Sequence, residues 1–253
     1  MKLFYREIGE GSPIVIMHGL FGSSDNWLTF AKKLAEKHKV FLLDLRNHGQ
    51  SPHAEPHSYD SMCEDLKSFL DENQIFNPVI VGHSMGGKLA MKFAVKYPEL
   101  LSKLIVIDIS PKYYKPHHQK YLAALHSLDL NTLTSRQEAD SHMQKHIDEL
   151  GVRQFLLKNL YRNENNEFKW RMNLQLLSDQ IDNIGEGLDA SLRFKKPTLF
   201  IKGELSNYIS DDDEVMIHWI FPSSKVVSIP QAGHWVQADK PLELLEVMEE
   251  FVK

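Results

Sequence analysis

Six short stretches of the chain carry unbroken apolar runs instead of apolar residues at every second position: "PIVIMHG", "KVFLLDLR", "NPVIVGHS", "KLIVIDIS", "KPTLFIKG" and "SKVVSIP". A strand with one wet face alternates, so runs without alternation point to strands buried on both sides, as in a parallel sheet covered by helices. Between them lie "DNWLTFAKKLAEKH", "SYDSMCEDLKSFLDEN" and "GGKLAMKFAVKYP", whose apolar residues recur at helical spacing. The pattern predicts an α/β fold with a mostly parallel sheet flanked by helices. One interval breaks the rhythm. From Pro111 to about Lys195 there is no strand-like run, only amphipathic helical pattern, which predicts a helical cap inserted before the penultimate strand. The expected organisation is a core of residues 1–110 and 196–253 with a cap of residues 111–195 over the C-terminal edge of the sheet, where open α/β sheets bind ligands.

Composition narrows the chemistry. A chain of 253 residues, 42% hydrophobic, can bury a sizeable core as one large domain with an insertion. Its net charge of −5, with Lys and Arg scattered, argues against nucleic acid as a partner. The single Cys63 cannot form an internal disulfide, and its neighbours Glu64 and Asp65 would raise a thiol pKa. No stretch approaches the roughly 20 apolar residues of a membrane span, and "MKLFYREIGEGSP" lacks the apolar run of a signal peptide. These readings predict a cytoplasmic protein.

In "VIVGHSMGG" a strand pattern runs into Gly82-x-Ser84-x-Gly86 and then into a helical pattern. Flanking glycines permit a sharp strand-to-helix turn that projects Ser84 Oγ, and the helix N-terminus favours negative charge. A tight turn with an incidental serine explains the pentapeptide alone, but not its placement. A nucleophilic serine needs a base, and the chain has 13 histidines. His142 and His146, four apart, lack the glutamate of a zinc-protease helix and read as a solvated face, so no metal site is expected. His53 and His57 sit in a Pro/Ser loop, and His117 and His118 in a polar part of the cap. His18, His48 and His83 belong to glycine turns and read as positioning residues. His234, in "IPQAGHWVQADKP", follows the last strand on a short loop and can descend onto Ser84. Oxyanion donors are expected at the N–H of Met85, directly after the serine, and of Leu20 in "HGLFG".

Together "HGLFGSSDNW", "DLRNHGQSP", "GHSMGGK", "IDISP", "FLLKNL", "SNYIS" and "AGHWVQADKP" resemble the α/β-hydrolase superfamily, and specifically its YbfF-type esterases, over essentially the whole chain. The resemblance implies a serine hydrolase of carboxylic esters, with acyl-CoA thioesters among the suggested substrates, and no metal or organic cofactor. By position, Ser84 resembles the nucleophile, His234 the base, and Leu20 and Met85 the oxyanion residues.

The acid departs from the general superfamily pattern. Most relatives carry an aspartate three residues past the glycine of a strand like "PTLFIKG", where this chain has Ser206. Asp211, Asp212 and Asp213 start the next helix, where carboxylates complement the dipole. Asp108 ends "KLIVIDIS", one strand-step of about 4.8 Å from the nucleophile strand, and the YbfF-type branch is similar in having its acid there. Asp108 is the expected acid, with Ser206 as an auxiliary hydroxyl beside it. Asp44, in "LLDLR", reads as a turn-forming residue. Phe21, Phe155, Trp170, Tyr208 and Trp235 are the expected pocket lining, and a cap rich in apolar residues without a basic cluster predicts neutral acyl groups of short to medium length. A carbon–carbon bond hydrolase or lyase on the same fold, and a non-catalytic small-molecule binding module, are the alternative readings.

Overall fold

Each of the six apolar runs forms a strand of one twisted sheet. The computed structural model describes residues 1–253. β1 (Tyr5–Ile8), β2 (Pro13–Met17), β3 (Lys39–Leu43), β4 (Val79–His83) and β5 (Lys103–Ile107) precede the insertion, and β8 (Thr198–Gly203) and β9 (Ser224–Ile229) follow it. The strand order is β1-β3-β2-β4-β5-β8-β9, parallel except for β1, which pairs antiparallel with β3 at the edge. Burial on both faces explains the runs of β2, β3, β4, β5 and β8, whereas β9, at the opposite edge of the sheet, is only partly buried, contrary to the expectation for its run. Ile14 and Ile16 of β2 pack with Trp27, Phe30 and Leu34 around α1 (Leu28–Leu34). Val15 and Met17 face the other way, toward Leu66 and Phe69 of α2 (Tyr59–Glu72) and Leu89 of α3 (Met85–Lys96).

The topology creates the site. After β2 the chain crosses outward to β3, then returns to place β4 on the other side of β2. That reversal opens a crevice at the C-terminal ends of β2 and β4. Register then aligns the next two strands: His83 of β4 lies opposite Ile107 of β5, so Ser84 and Asp108 are each the first residue beyond the paired ladder.

The insertion between β5 and β8 contains α4 (Gln119–His126), α5 (Arg136–Met143), α6 (Leu150–Leu157) and α7 (Leu174–Asp179). It also contains strands, contrary to the expectation of helix alone: β6 (Leu160–Arg162) pairs antiparallel with β7 (Phe168–Trp170). Three-residue strands are too short to show a period of two. Their signal is the turn, where Asn163 Oδ1 accepts from the N–H groups of Asn165 and Glu167 and Asn166 adopts φ 63°. The cap shares its apolar core with the sheet: Leu125, Met143, Leu156 and Leu177 belong to the same buried cluster as Val15 and Val106. Its outgoing and returning connections are tied by Tyr114 N–H to Gly185 O (2.9 Å) and Leu188 N–H to Pro111 O (2.8 Å).

Candidate active site

Ser84 stands between β4 and α3 at φ 53°, ψ −118°. A positive φ at a non-glycine residue costs on the order of 1–3 kcal/mol and persists only where the surroundings impose it. Here Ser84 N–H donates to Ile107 O (3.0 Å), while Ser84 O accepts from Lys88 N–H (3.0 Å). A Cβ at Gly86 would come within 2.6 Å of the Met17 and His18 carbonyl oxygens, so only glycine lets α3 start this close to β2.

Asp108 repeats the strain at the end of the neighbouring strand, with φ 51° and no exposed surface. Its carboxylate is fully engaged. Oδ1 accepts from Gly203 N–H (3.1 Å), and Oδ2 accepts from Ser206 Oγ–H (2.5 Å) and from His234 Nδ1–H (2.7 Å). With Nδ1 committed, Nε2 is the free nitrogen of the His234 ring. The ring is fixed further by stacking on Tyr208 at 4.0 Å and 19°, and its backbone by His83 Nε2–H donating to His234 O (2.8 Å). The later carboxylates serve elsewhere: Asp211 pairs with Lys202 (2.9 Å) and Asp213 with Lys112 (2.7 Å). Asp44 receives the N–H groups of Ser24 (2.6 Å) and Gln50 (2.8 Å) and holds two loops together.

The loop after β2 is oriented by neutral imidazoles. Gly19 O accepts from His18 Nδ1–H (2.8 Å) and from Gly22 N–H (2.9 Å). Because a trans peptide points its C=O and N–H in opposite directions, anchoring that carbonyl turns Leu20 N–H away from His18 Nδ1. Phe21 N–H is spent on His48 Nε2 (3.1 Å), and Phe21 O accepts from Asn159 Nδ2 (2.7 Å), which the turn after α6 delivers from the cap. His18 Nε2 in turn accepts from Leu45 N–H (3.0 Å), and His48 Nδ1–H donates to Arg46 O (3.0 Å). Burial pulls His18 down to about 4 and His48 and His83 to about 3, which keeps these rings neutral and their tautomers set by these bonds. A Cβ on Gly19 would lie 3.2 Å from Ser84 Cβ, so the loop passes directly beside the serine.

Ser84 and His234 open into one cavity of about 360 Å³, walled also by Phe21, Phe155, Tyr208 and Trp235. Trp170 does not reach it. Set on β7, it lines a separate outer groove with Leu125 and Met172. His117 and His118, which sequence reading leaves in a polar cap segment, do wall the cavity, and His117 Nε2 is 2.9 Å from the Tyr208 hydroxyl. Lys88 and Asn159 were equally silent in sequence. The Lys88 ammonium is buried and donates to the carbonyls of Lys112 and Glu186 (2.8 Å), one on each connection of the cap, and burial lowers it to about 7. No group of His, Cys, Asp and Glu is arranged to hold a metal ion, and no helix is long and apolar enough to cross a membrane.

The sequence profile of the alpha/beta hydrolase fold matches residues 12–241. The chain belongs to the α/β-hydrolase family. This α/β hydrolase is 39% identical over 253 residues to the sn-1-specific diacylglycerol lipase ABHD11 of Danio rerio, an alignment covering 97% of this chain and 80% of that protein. It is 37% identical to esterase YbfF of Escherichia coli (strain K12), over 96% and 94% of the two chains. The solved structure of a "Marine microorganism esterase" superposes with a TM-score of 0.96 at 42% identity, covering 99% of both chains. The protein is a serine-type esterase of this fold, closely related to the YbfF/ABHD11 esterases, with residues positioned like a Ser-His-Asp triad.

Proposed function

We propose that the protein hydrolyses carboxylic esters, and acyl thioesters by the same chemistry, through an acyl-enzyme on Ser84. His234 Nε2 takes the proton from Ser84 Oγ as it attacks the acyl carbon. Asp108 holds the imidazole through Nδ1 and stabilises the cation that forms, with Ser206 donating to the same carboxylate. The N–H groups of Leu20 and Met85 receive the developing oxyanion. His234 then protonates the departing alcohol or thiol, and water repeats the sequence to release the acid. The observation that carries this reading is the 2.7 Å bond from a fully buried Asp108 to a His234 that shares its cavity with a strained Ser84.

Fluorophosphonate labelling and ester turnover of wild type and Ser84→Ala test it together. The variant should lose both, with kcat/KM falling by at least roughly 10⁴-fold. Undiminished labelling of Ser84→Ala would overturn the assignment.

A further inference from the structure

A second, adjoining chamber also opens on Ser84. It is small, with about 30 Å³ of free space, and its walls include Tyr59, Met85, Ile109, Ile181 and Ile184. The two cavities share Leu20, Ser84, His117, His118 and Tyr208, but they differ at the residues that flank the serine. His234 lines only the wide one and Met85 only the small one.

That difference orients an ester. The leaving oxygen or sulfur must receive its proton from His234, so the leaving group lies on the side where His234 is. The acyl chain must then run the other way. We propose that the small chamber is the acyl subsite and restricts this enzyme to acyl groups of acetyl to butyryl length, while the wide cavity accommodates a large apolar alcohol or thiol. The inference rests on Ser84 and His234 acting as proposed above.

Size sets the limit. One water-sized group needs on the order of 10–15 Å³ in such a space, so the chamber admits two or three heavy atoms beyond the carbonyl carbon. Its end is also braced against expansion. Tyr59 O–H donates to Ile184 O (2.9 Å), and Lys88 donates to Glu186 O (2.8 Å), two residues along the same returning connection of the cap. A longer chain would have to break these bonds between core and cap. The wide cavity, by contrast, is walled by Phe155 and Trp235, whose rings pack at 5.5 Å and cover an apolar volume about an order of magnitude larger.

Two substrate series separate the sides: p-nitrophenyl acetate, butyrate, hexanoate and octanoate vary the acyl chain, and methyl, butyl, hexyl and octyl acetate vary the alcohol. For the wild type, kcat/KM should fall at least tenfold between butyrate and octanoate. In the acetates it should rise by up to about fourfold per added methylene, the equivalent of ~0.8 kcal/mol of apolar burial each. Ile184→Ala, a half-buried position, should move the acyl optimum toward hexanoate and leave the alcohol series in its original order; Ile184→Phe should confine turnover to acetate. A wild type that prefers octanoate, or an alcohol series that reorders in Ile184→Ala while the acyl series does not, would overturn the assignment of the chamber. Failure of every ester in both series, with no fluorophosphonate labelling, would instead remove the esterase reading itself.

Discussion

The two halves of the active site are built on different principles. The floor, carried by strand ends, is held by directed polar contacts and strained backbone: Ser84 and Asp108 at positive φ, a carboxylate accepting three hydrogen bonds, and loops pinned by neutral imidazoles. The roof, carried by the cap, meets the cavity with the apolar side chains of Val152, Phe155 and Leu156 and the ring of Tyr121, beside His117, His118 and Glu149. Directed contacts fix atoms to within a fraction of an ångström, which bond-making requires. Apolar contacts are tolerant of shape and scale with area, which suits selection among substrates. Reaction rate should therefore be written in the floor and substrate choice in the roof.

The division can be broken most sharply at Asp108. Asp108→Asn should lower kcat by roughly 10⁴-fold with little change in KM, because the imidazole loses both its tautomer and its charge partner. An essential Asp211, Asp212 or Asp213 beside a nearly wild-type Asp108→Asn would move the acid to the later strand. Acid is the next largest perturbation. Burial holds His18 at about 4 and His48, His57 and His83 at about 3, whereas in the unfolded chain such rings protonate near 6.5. The unfolded state thus binds more protons below that value. The contribution of these rings to stability is complete above about pH 6.5 and declines as pH falls, by about 1.4 kcal/mol per ring per pH unit. Urea titrations at pH 7.5 and 5.5 should differ by on the order of 5 kcal/mol for the four rings together. Equal midpoints would mean that the floor is not held by neutral histidines.

Smaller effects sharpen the contrast. Phe155→Ala, in the roof, should raise KM by about tenfold, or ~1.4 kcal/mol, and leave kcat within a factor of two to three. A fall in kcat comparable to that of Asp108→Asn would erase the distinction between floor and roof. Ser206→Ala should cost a two- to tenfold drop in kcat, as expected for one neutral hydrogen bond of about 0.5–1.5 kcal/mol, and the loss should appear in kcat alone.

The same division governs what sequence can reveal. Strands buried on both faces write themselves as continuous apolar runs, so the sheet, its order of elements and the glycine turns at its edge are legible without coordinates. The floor follows, because Ser84, Asp108 and His234 each sit at a fixed offset from a strand. β1 and the β6–β7 hairpin are not legible by the same rule, since an edge strand and two three-residue strands carry no long run. In the roof, helical spacing says that a residue faces inward but not which interior it meets. Trp170 and Phe155 look alike in sequence, yet one lines an outer groove and the other the cavity. Lys88 and Asn159 escape for a further reason. Their partners are backbone carbonyls distant in the chain, and a carbonyl leaves no trace in residue identity.

Asn159 carries a consequence for how such enzymes can be recombined. Its amide reaches from the turn after α6 to the carbonyl of Phe21, so one anchor of the loop beside Ser84 is encoded some 138 positions away, inside the segment that also shapes the cavity. A chimaera that replaced residues 111–195 with the corresponding segment of a relative would import new walls and, unless it brought an equivalent amide to this spot, discard a support of the loop beside Ser84. Exchange of substrate range by cap transplantation is therefore limited by inheritance of a single side chain as much as by compatibility of the apolar surfaces. Libraries that hold position 159 constant while varying α6 should retain far more active members than libraries that randomise the helix and the turn after it together.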